Sequence, residues 1–246
     1  MANRTTSELH VNRLDGLRGN PYVKWDAFPA ERKGSGIGAS KPMGLICISH
    51  AGDCEFDSDE HIRRNVEVPS DVAKRLAKLR KGQPEDSEIR YEEFVDAIMR
   101  IQRQVMTERV LRLMNRRDYS RLELEKRLER DGYDSDIITE VLDDLSECGI
   151  VSDARFAEIY VRSKISAGWG TDRIVRELDV RGIDVKDLAG WPYDYLDPDL
   201  ELERAIAAAQ KKCLGSRKPN YQQLVRFLVG RGYSCNVARG AAKEVL

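Results

Sequence analysis

Apolar positions along this chain follow a helical step over most of its length, and the steps recur at a fixed interval. Leu124 and Leu128, Ile174 and Leu178, and Leu224 and Leu228 are three pairs with the four-residue spacing of one helix face, each 50 residues from the next. A glycine follows each pair four positions later, at Gly132, Gly182 and Gly232. Glycine readily takes the left-handed conformation that ends a helix. A repeat of this length marks stacked supersecondary units, none of which can bury its apolar face alone.

The second copy is the clearest. Phe156, Ile159, Tyr160 and Lys164 fall on one predicted helical face, which Gly168 and Gly170 close around Trp169. Thr171 is placed to cap a second helix bearing Ile174 and Leu178, which Gly182 ends. A third helix begins at Val185 and Leu188 and is cut short by Gly190 and Pro192, leaving Trp191, Tyr193 and Tyr195 as filler at the junction. In the first copy Val110, Leu111 and Met114 share a face, and Ser120-x-x-Glu123 has the form of a capping box. Asp134 or Ser135 caps the helix that carries Ile137, Ile138, Val141, Leu142 and Leu145. Asp197-Pro198 starts the third copy, which continues through Ile206, Tyr221 to Leu228, and Val237 to Leu246.

Upstream the pattern changes. Leu45 to Ser49 and Cys54 to Asp57 flank Ala51-Gly52-Asp53 and predict a small β-hairpin. A helix with Val72, Leu76 and Leu79 follows, capped by Ser70 or Asp71. A second carries Phe94, Ile98, Ile101 and Val105 and is able to run on into the repeats. Residues 1–42 show no sustained period and are expected to be disordered, with Tyr22, Trp25 and Phe28 offering at most a short docking motif. The predicted fold is therefore mainly α. Three tandem three-helix repeats (106–150, 151–196 and 197–246) form an elongated curved array behind a hairpin-and-helix segment (43–105) and a disordered tail (1–42).

The residues that carry these helices also carry a family resemblance. Tyr119-Ser120, Glu123-Leu124, Leu128 and Gly132 lead into Gly149, Asp153, Phe156-Ala157 and Tyr160-Val161, then Arg173-Ile174, Glu177-Leu178 and Gly182-Ile183. Arg226-Phe227-Leu228 and Arg231-Gly232-Tyr233-Ser234 repeat the pattern more weakly. From about Met106 to the C-terminus this resembles the RecX family, regulators of the bacterial RecA recombinase. The resemblance implies a non-enzymatic modulator, expected to inhibit, that lies in the groove of the RecA–DNA filament. It would restrain filament growth, ATP hydrolysis and strand exchange, and so act in DNA repair, homologous recombination and the SOS response. The implied partner is the RecA nucleoprotein filament, with single- or double-stranded DNA beside it, and any ATP belongs to RecA. A DNA-binding regulator built from tandem helix-turn-helix-like units is the alternative reading.

Composition and charge sharpen this picture. Charged residues make up 34% of the 246 and aromatics only 7%, which suits a surface-rich helical protein with a thin core. The net charge of −1 hides a division. Residues 131–200 hold seven Lys/Arg against seventeen Asp/Glu, and residues 201–246 hold nine against three. An acidic middle beside a basic end suits a protein partner with adjoining nucleic acid better than general polyanion binding. The candidate contacts are therefore basic: Arg116, Arg117 and Arg121 in the first repeat (with Arg112 and Arg127 nearby), and Lys211, Lys212, Arg226 and Arg231 in the third (with Arg217, Lys218 and Arg239).

Other chemistries find little support. The three histidines, His10, His50 and His61, all precede the repeats, so no Ser-His-Asp or Cys-His constellation forms within them and no catalytic residue is assigned. Cys47, His50, Cys54 and His61 are ligand-like, but only the first two have the spacing of a paired zinc set, and an incidental hairpin cluster is the preferred reading. Gly34 to Lys41 lacks the strand, the Gly-Lys-Ser/Thr sequence and the helix start of a phosphate loop. No cofactor is expected. Five cysteines without a CxxC fit reduced thiols, and no apolar run approaches membrane-spanning length; a soluble, cytoplasmic monomer is expected.

Overall fold

The computed structural model describes residues 22–30, 43–50, 63–84, 87–215 and 219–246. Two compact units result. One comprises the chain through Arg117 together with Glu123–Ile150, and the other Asp118–Leu122 together with Val151–Leu246.

The first unit is built on an antiparallel sheet of β1 (Tyr22–Phe28), β2 (Met43–His50), β3 (Arg63–Pro69) and the short β4 (Ile89–Arg90), in the order β3-β2-β1-β4. The alternation of β1 puts Val23, Trp25 and Ala27 on the buried face, while Tyr22 and Phe28 are exposed. This corrects the expectation of a disordered tail over 22–28. Trp25 pairs in register with Ile48 and rests against Phe94, ring centroids 5.4 Å apart. A strand whose inner face fills a core cannot act as a free docking motif. The predicted hairpin is likewise redrawn, because β2 pairs with β3, and the expected second strand at Cys54–Asp57 lies outside the described residues.

Helix α1 (Ser70–Arg80) buries Val72, Ala73 and Leu76 in this unit, its N-cap being Pro69 rather than Ser70 or Asp71. Helix α2 (Tyr91–Met114) is continuous, so the N-terminal segment passes into the first repeat without a break. It buries Phe94, Ile98, Ile101, Val105, Met106, Val110 and Leu113, whereas the predicted Leu111 is exposed. Helices α3 (Arg121–Arg130) and α4 (Ser135–Glu147) follow, and the Asp134 carboxylate accepts from the Asp136 amide at the start of α4.

The second unit holds α5 (Asp153–Ser166) and α6 (Thr171–Asp179), 3-10 turns at Val185–Asp187 and Pro198–Leu200, and then α7 (Glu201–Cys213), α8 (Tyr221–Gly230) and α9 (Cys235–Val245). The truncated third helix of the second repeat is thus a 3-10 turn. Trp191 and Tyr195 pack against its core while Tyr193 is exposed. On α5 the buried side chains are Phe156, Ala157 and Val161, and Ile159 faces out. The N-cap of α6 is Gly170, not Thr171. A reciprocal capping box is present at the corresponding positions of the third repeat, between Asn220 and Gln223.

All six residues of the repeating apolar pairs are buried, with Leu124, Leu128, Leu178, Leu224 and Leu228 at 0% exposure and Ile174 at 1%. Leu178→Ala is expected to cost about 2–5 kcal/mol, as other buried Leu truncations do. Urea unfolding followed by circular dichroism would measure it. A loss below about 1 kcal/mol would mean that the site collapses around the cavity.

Candidate partner-binding cleft

Gly182 and Gly232 take positive φ, 78° and 92°, and turn the chain sharply after α6 and α8. In the second unit these turns also serve as docking points. The Gly170 amide donates to the Arg231 carbonyl at 2.9 Å, and the Asp172 amide donates to the Gly232 carbonyl at 3.1 Å. A Cβ on Gly170 would lie 2.3 Å from the Gly232 oxygen, so only glycine fits at this N-cap. One period earlier, the Ser120 hydroxyl donates to the Arg181 carbonyl at 2.9 Å, and the Arg121 amide donates to Asp153 Oδ1 at 2.8 Å. Helix N-termini leave amides without intrahelical partners. Here protein acceptors take them up, including Glu201 Oε1, which accepts from the Thr171 amide at 3.1 Å.

Docking at Gly232 fixes the side chain beside it. Arg231 Nη1 donates to the Ala167 carbonyl at 2.6 Å, and its guanidinium carbon stands 5.1 Å from the Phe227 ring centroid. Lys212 Nζ is 5.6 Å from the same ring. Around these groups opens a cleft of about 400 Å³, into which α7 contributes Arg204, Lys211 and Lys212. No carboxylate lines it among the described residues.

Of the candidates named from sequence, the structure therefore brings together Lys211, Lys212 and Arg231 and leaves the others elsewhere. Arg226 is exposed on α8, its Nε donating to the Gln222 carbonyl, and does not line the cleft. Arg116 and Arg117 are exposed in the first unit, with Arg117 paired to Glu123 at 3.0 Å. Arg121 is half-buried in the second. Arg217 and Lys218 lie outside the described residues, as do Cys54 and His61. Sequence reading missed Arg204 and Phe227. The available signal was the seven-residue step from Arg204 to Lys211, which returns to the same helix face.

A second group of cations in this unit is consumed internally. Lys164 Nζ lies 4.8 Å from the rings of both Tyr160 and Trp169. Arg173 stands 3.8 Å from Trp169, and Arg181 4.7 Å from Tyr160. Arg181 Nη1 donates to Glu177 Oε2 at 2.7 Å, which holds that carboxyl below its ordinary range. Tyr160 stacks on Phe156, and burial raises its phenol. These side chains knit α5 to α6.

Among the described residues, no His, Cys, Asp and Glu group could hold a metal ion, and no helix is long and apolar enough to cross a membrane.

The repeats match known proteins. The description "RecX, first three-helix domain" matches residues 108–145, and "RecX, second three-helix domain" matches residues 152–188. A Regulatory protein RecX from Chromohalobacter salexigens is 39% identical over 132 residues, covering 53% of this chain and 86% of that protein. Another, from Acidithiobacillus ferrooxidans, is 32% identical over 153 residues, 59% of this chain and 96% of its own. Crystal structures agree on the fold. RecX from Lactobacillus salivarius superposes with a TM-score of 0.50 at 21% identity, over 58% of this chain and 96% of that one. A further regulatory protein RecX gives 0.53 at 18% identity, over 78% and 92%. With most of each relative's length matched at this identity, and with both three-helix domains in place, the chain belongs to the RecX family of regulatory proteins.

Proposed function

We propose that this chain is a non-enzymatic modulator of RecA that binds the RecA–DNA filament in its groove and restrains filament growth, ATP hydrolysis and strand exchange. The working units are the repeats 106–150, 151–196 and 197–246, acting as a monomer in the cytoplasm. The observation that supports this reading best is the cleft of the third repeat. Arg204, Lys211, Lys212 and Arg231 line it together, with no carboxylate beside them among the described residues. Such a surface attracts an anionic partner and speeds encounter with it. A filament presents both acidic protein surface and phosphate.

RecA-catalysed ATP hydrolysis and strand exchange, each measured with and without this protein, test the reading. Both rates are expected to fall as the protein is added. Unchanged rates at saturating protein, with the RecA filament formed, would reject it. The alternative, a helix-turn-helix regulator, predicts duplex binding with clear sequence preference in the absence of RecA. The packing of the amides at the starts of α3 and α6 against protein acceptors counts against it, since a recognition helix commonly presents its N-terminal residues to DNA.

A further inference from the structure

The first unit holds a cleft of its own, of about 240 Å³, between β3, α2 and the start of α4. Ile46, Val66, Val68, Ile98 and Ile137 line it as buried side chains, and Val95 and Met99 as half-buried ones. Val95, Ile98, Met99 and Gln102 follow the helical step along one stripe of α2, about 10 Å from first to last. The cleft is smaller than the roughly 300–1,000 Å³ of sites that enclose a whole small molecule. It suits side chains inserted by a longer ligand.

Two features define that ligand. The first is charge. Glu67, Asp134, Asp136 and Glu140 all line the cleft, and no Lys, Arg or His does so among the described residues. The Asp134 carboxylate is buried and accepts from the Asp136 amide, and Glu140 pairs with Arg103. Glu67 and Asp136 are exposed, and neither has an ion-pair partner among the described residues. Asp136 and Glu140 also stand one turn apart on α4, where like charges oppose each other. A cation brought to this rim relieves that repulsion.

The second feature is backbone. In the sheet order β3 is an edge strand among the described residues. Four consecutive residues of it, Val66 to Pro69, line the cleft. Side chains alternate between the two faces of a strand, so a cleft that touches four in a row runs along the edge. An edge presents N–H and C=O groups that an added strand can pair with, whereas a helical ligand satisfies its own backbone and leaves them unused.

We propose that the cleft between β3, α2 and α4 docks an extended basic segment of a partner protein. Its apolar side chains sit between Val68, Met99 and Ile137, and its lysines or arginines face Glu67, Asp136 and Glu140. The assignment goes beyond the RecA reading and does not depend on it.

The test is fluorescence anisotropy of a labelled octapeptide in which lysine alternates with valine, titrated with the full chain in the absence of RecA and DNA. Saturable binding of one peptide per chain is expected. Glu67→Lys with Asp136→Lys should lower affinity at least tenfold, since attraction across the contact becomes repulsion. Asp144→Lys with Glu147→Lys, an equal change of charge on exposed residues of α4 that do not line the cleft, should leave affinity within about twofold. If the first pair unfolds by circular dichroism, Glu67→Gln with Asp136→Asn should still lower affinity at least threefold. N-methylation of alternate peptide amides should abolish binding in one frame and spare it in the other, because an extended segment turns alternate N–H groups to the strand beside it. Equal binding of a peptide with serine in place of valine overturns the assignment, as do tolerance of methylation in both frames and indifference to both cleft pairs. A dimer of the chain that sedimentation velocity detects, and that Glu67→Lys with Asp136→Lys dissolves, also overturns it and makes the cleft an interface between two copies.

Discussion

Trp25→Ala should cost about 3–5 kcal/mol of stability in the first unit, the range for truncating a buried aromatic. Its ring is 6% exposed and sits against Phe94, and Arg80 lies 6.0 Å from it while pairing with Asp26 at 3.2 Å. Truncation would therefore open a cavity between the sheet and α2 and loosen the side chain that holds α1 over β1. Phe28→Ala on the same strand, at a residue 54% exposed, should change stability by under about 1 kcal/mol. Urea unfolding of both variants, followed by circular dichroism, compares them directly. Equal and small losses would mean that β1 is dispensable to the unit.

The two halves of this molecule differ in how openly their sequence declares them. A repeat announces itself three times. The apolar pair and its glycine are local signals, four residues from first to second and four more to the turn, and every one of those leucines and the isoleucine is buried. Strand β1 has no such redundancy. Its inward residues Val23, Trp25 and Ala27 alternate over only five positions, and Tyr22, Trp25 and Phe28 also stand three apart, which disguises the period of two. What stabilises the strand is pairing with β2 and burial against α2, both distant in sequence. The same distinction holds at the cleft. Lys211 and Lys212 stand out as a charged pair, and Arg231 as part of the repeating turn. Arg204 is set among Glu201, Glu203 and alanines; it shares a face of α7 with Lys211, and only the packing of the repeat brings it to Arg231. Thr171 was the expected cap because threonine caps helices well. The close approach of the Gly232 turn demanded glycine at the position before it.

That packing also decides how the basic surface is best tested against RecA. Reversing Arg226 and Arg231 together would be the natural experiment from sequence, with both treated as solvated charges. Arg231 is half-buried, holds the Ala167 carbonyl and covers Phe227, so its reversal would disturb the docking of the repeats as well as any partner contact. Lys211, Lys212 and Arg226 are exposed and separate the two effects. Changing all three to Glu is expected to raise the concentration needed for half-inhibition of RecA hydrolysis by more than tenfold, a loss above about 1.4 kcal/mol. Attraction is replaced by repulsion across an interface, and that changes encounter as well as affinity. The cost to folding should be smaller. Lys211 and Lys212 lie in the last turn of α7, where a cation is favoured by about 0.3–1 kcal/mol and an anion is not, while exposed Arg226 contributes within about 0.5 kcal/mol. The circular dichroism spectrum should keep its helical signal and the melting point should fall only slightly. Arg116→Glu with Arg117→Glu, on the first unit, is the comparison; Arg117 already pairs with Glu123, so reversal there also sets two carboxylates against each other. Full inhibition by the folded triple variant, with inhibition lost in the Arg116 and Arg117 pair, would move the RecA contact from the third repeat to the first.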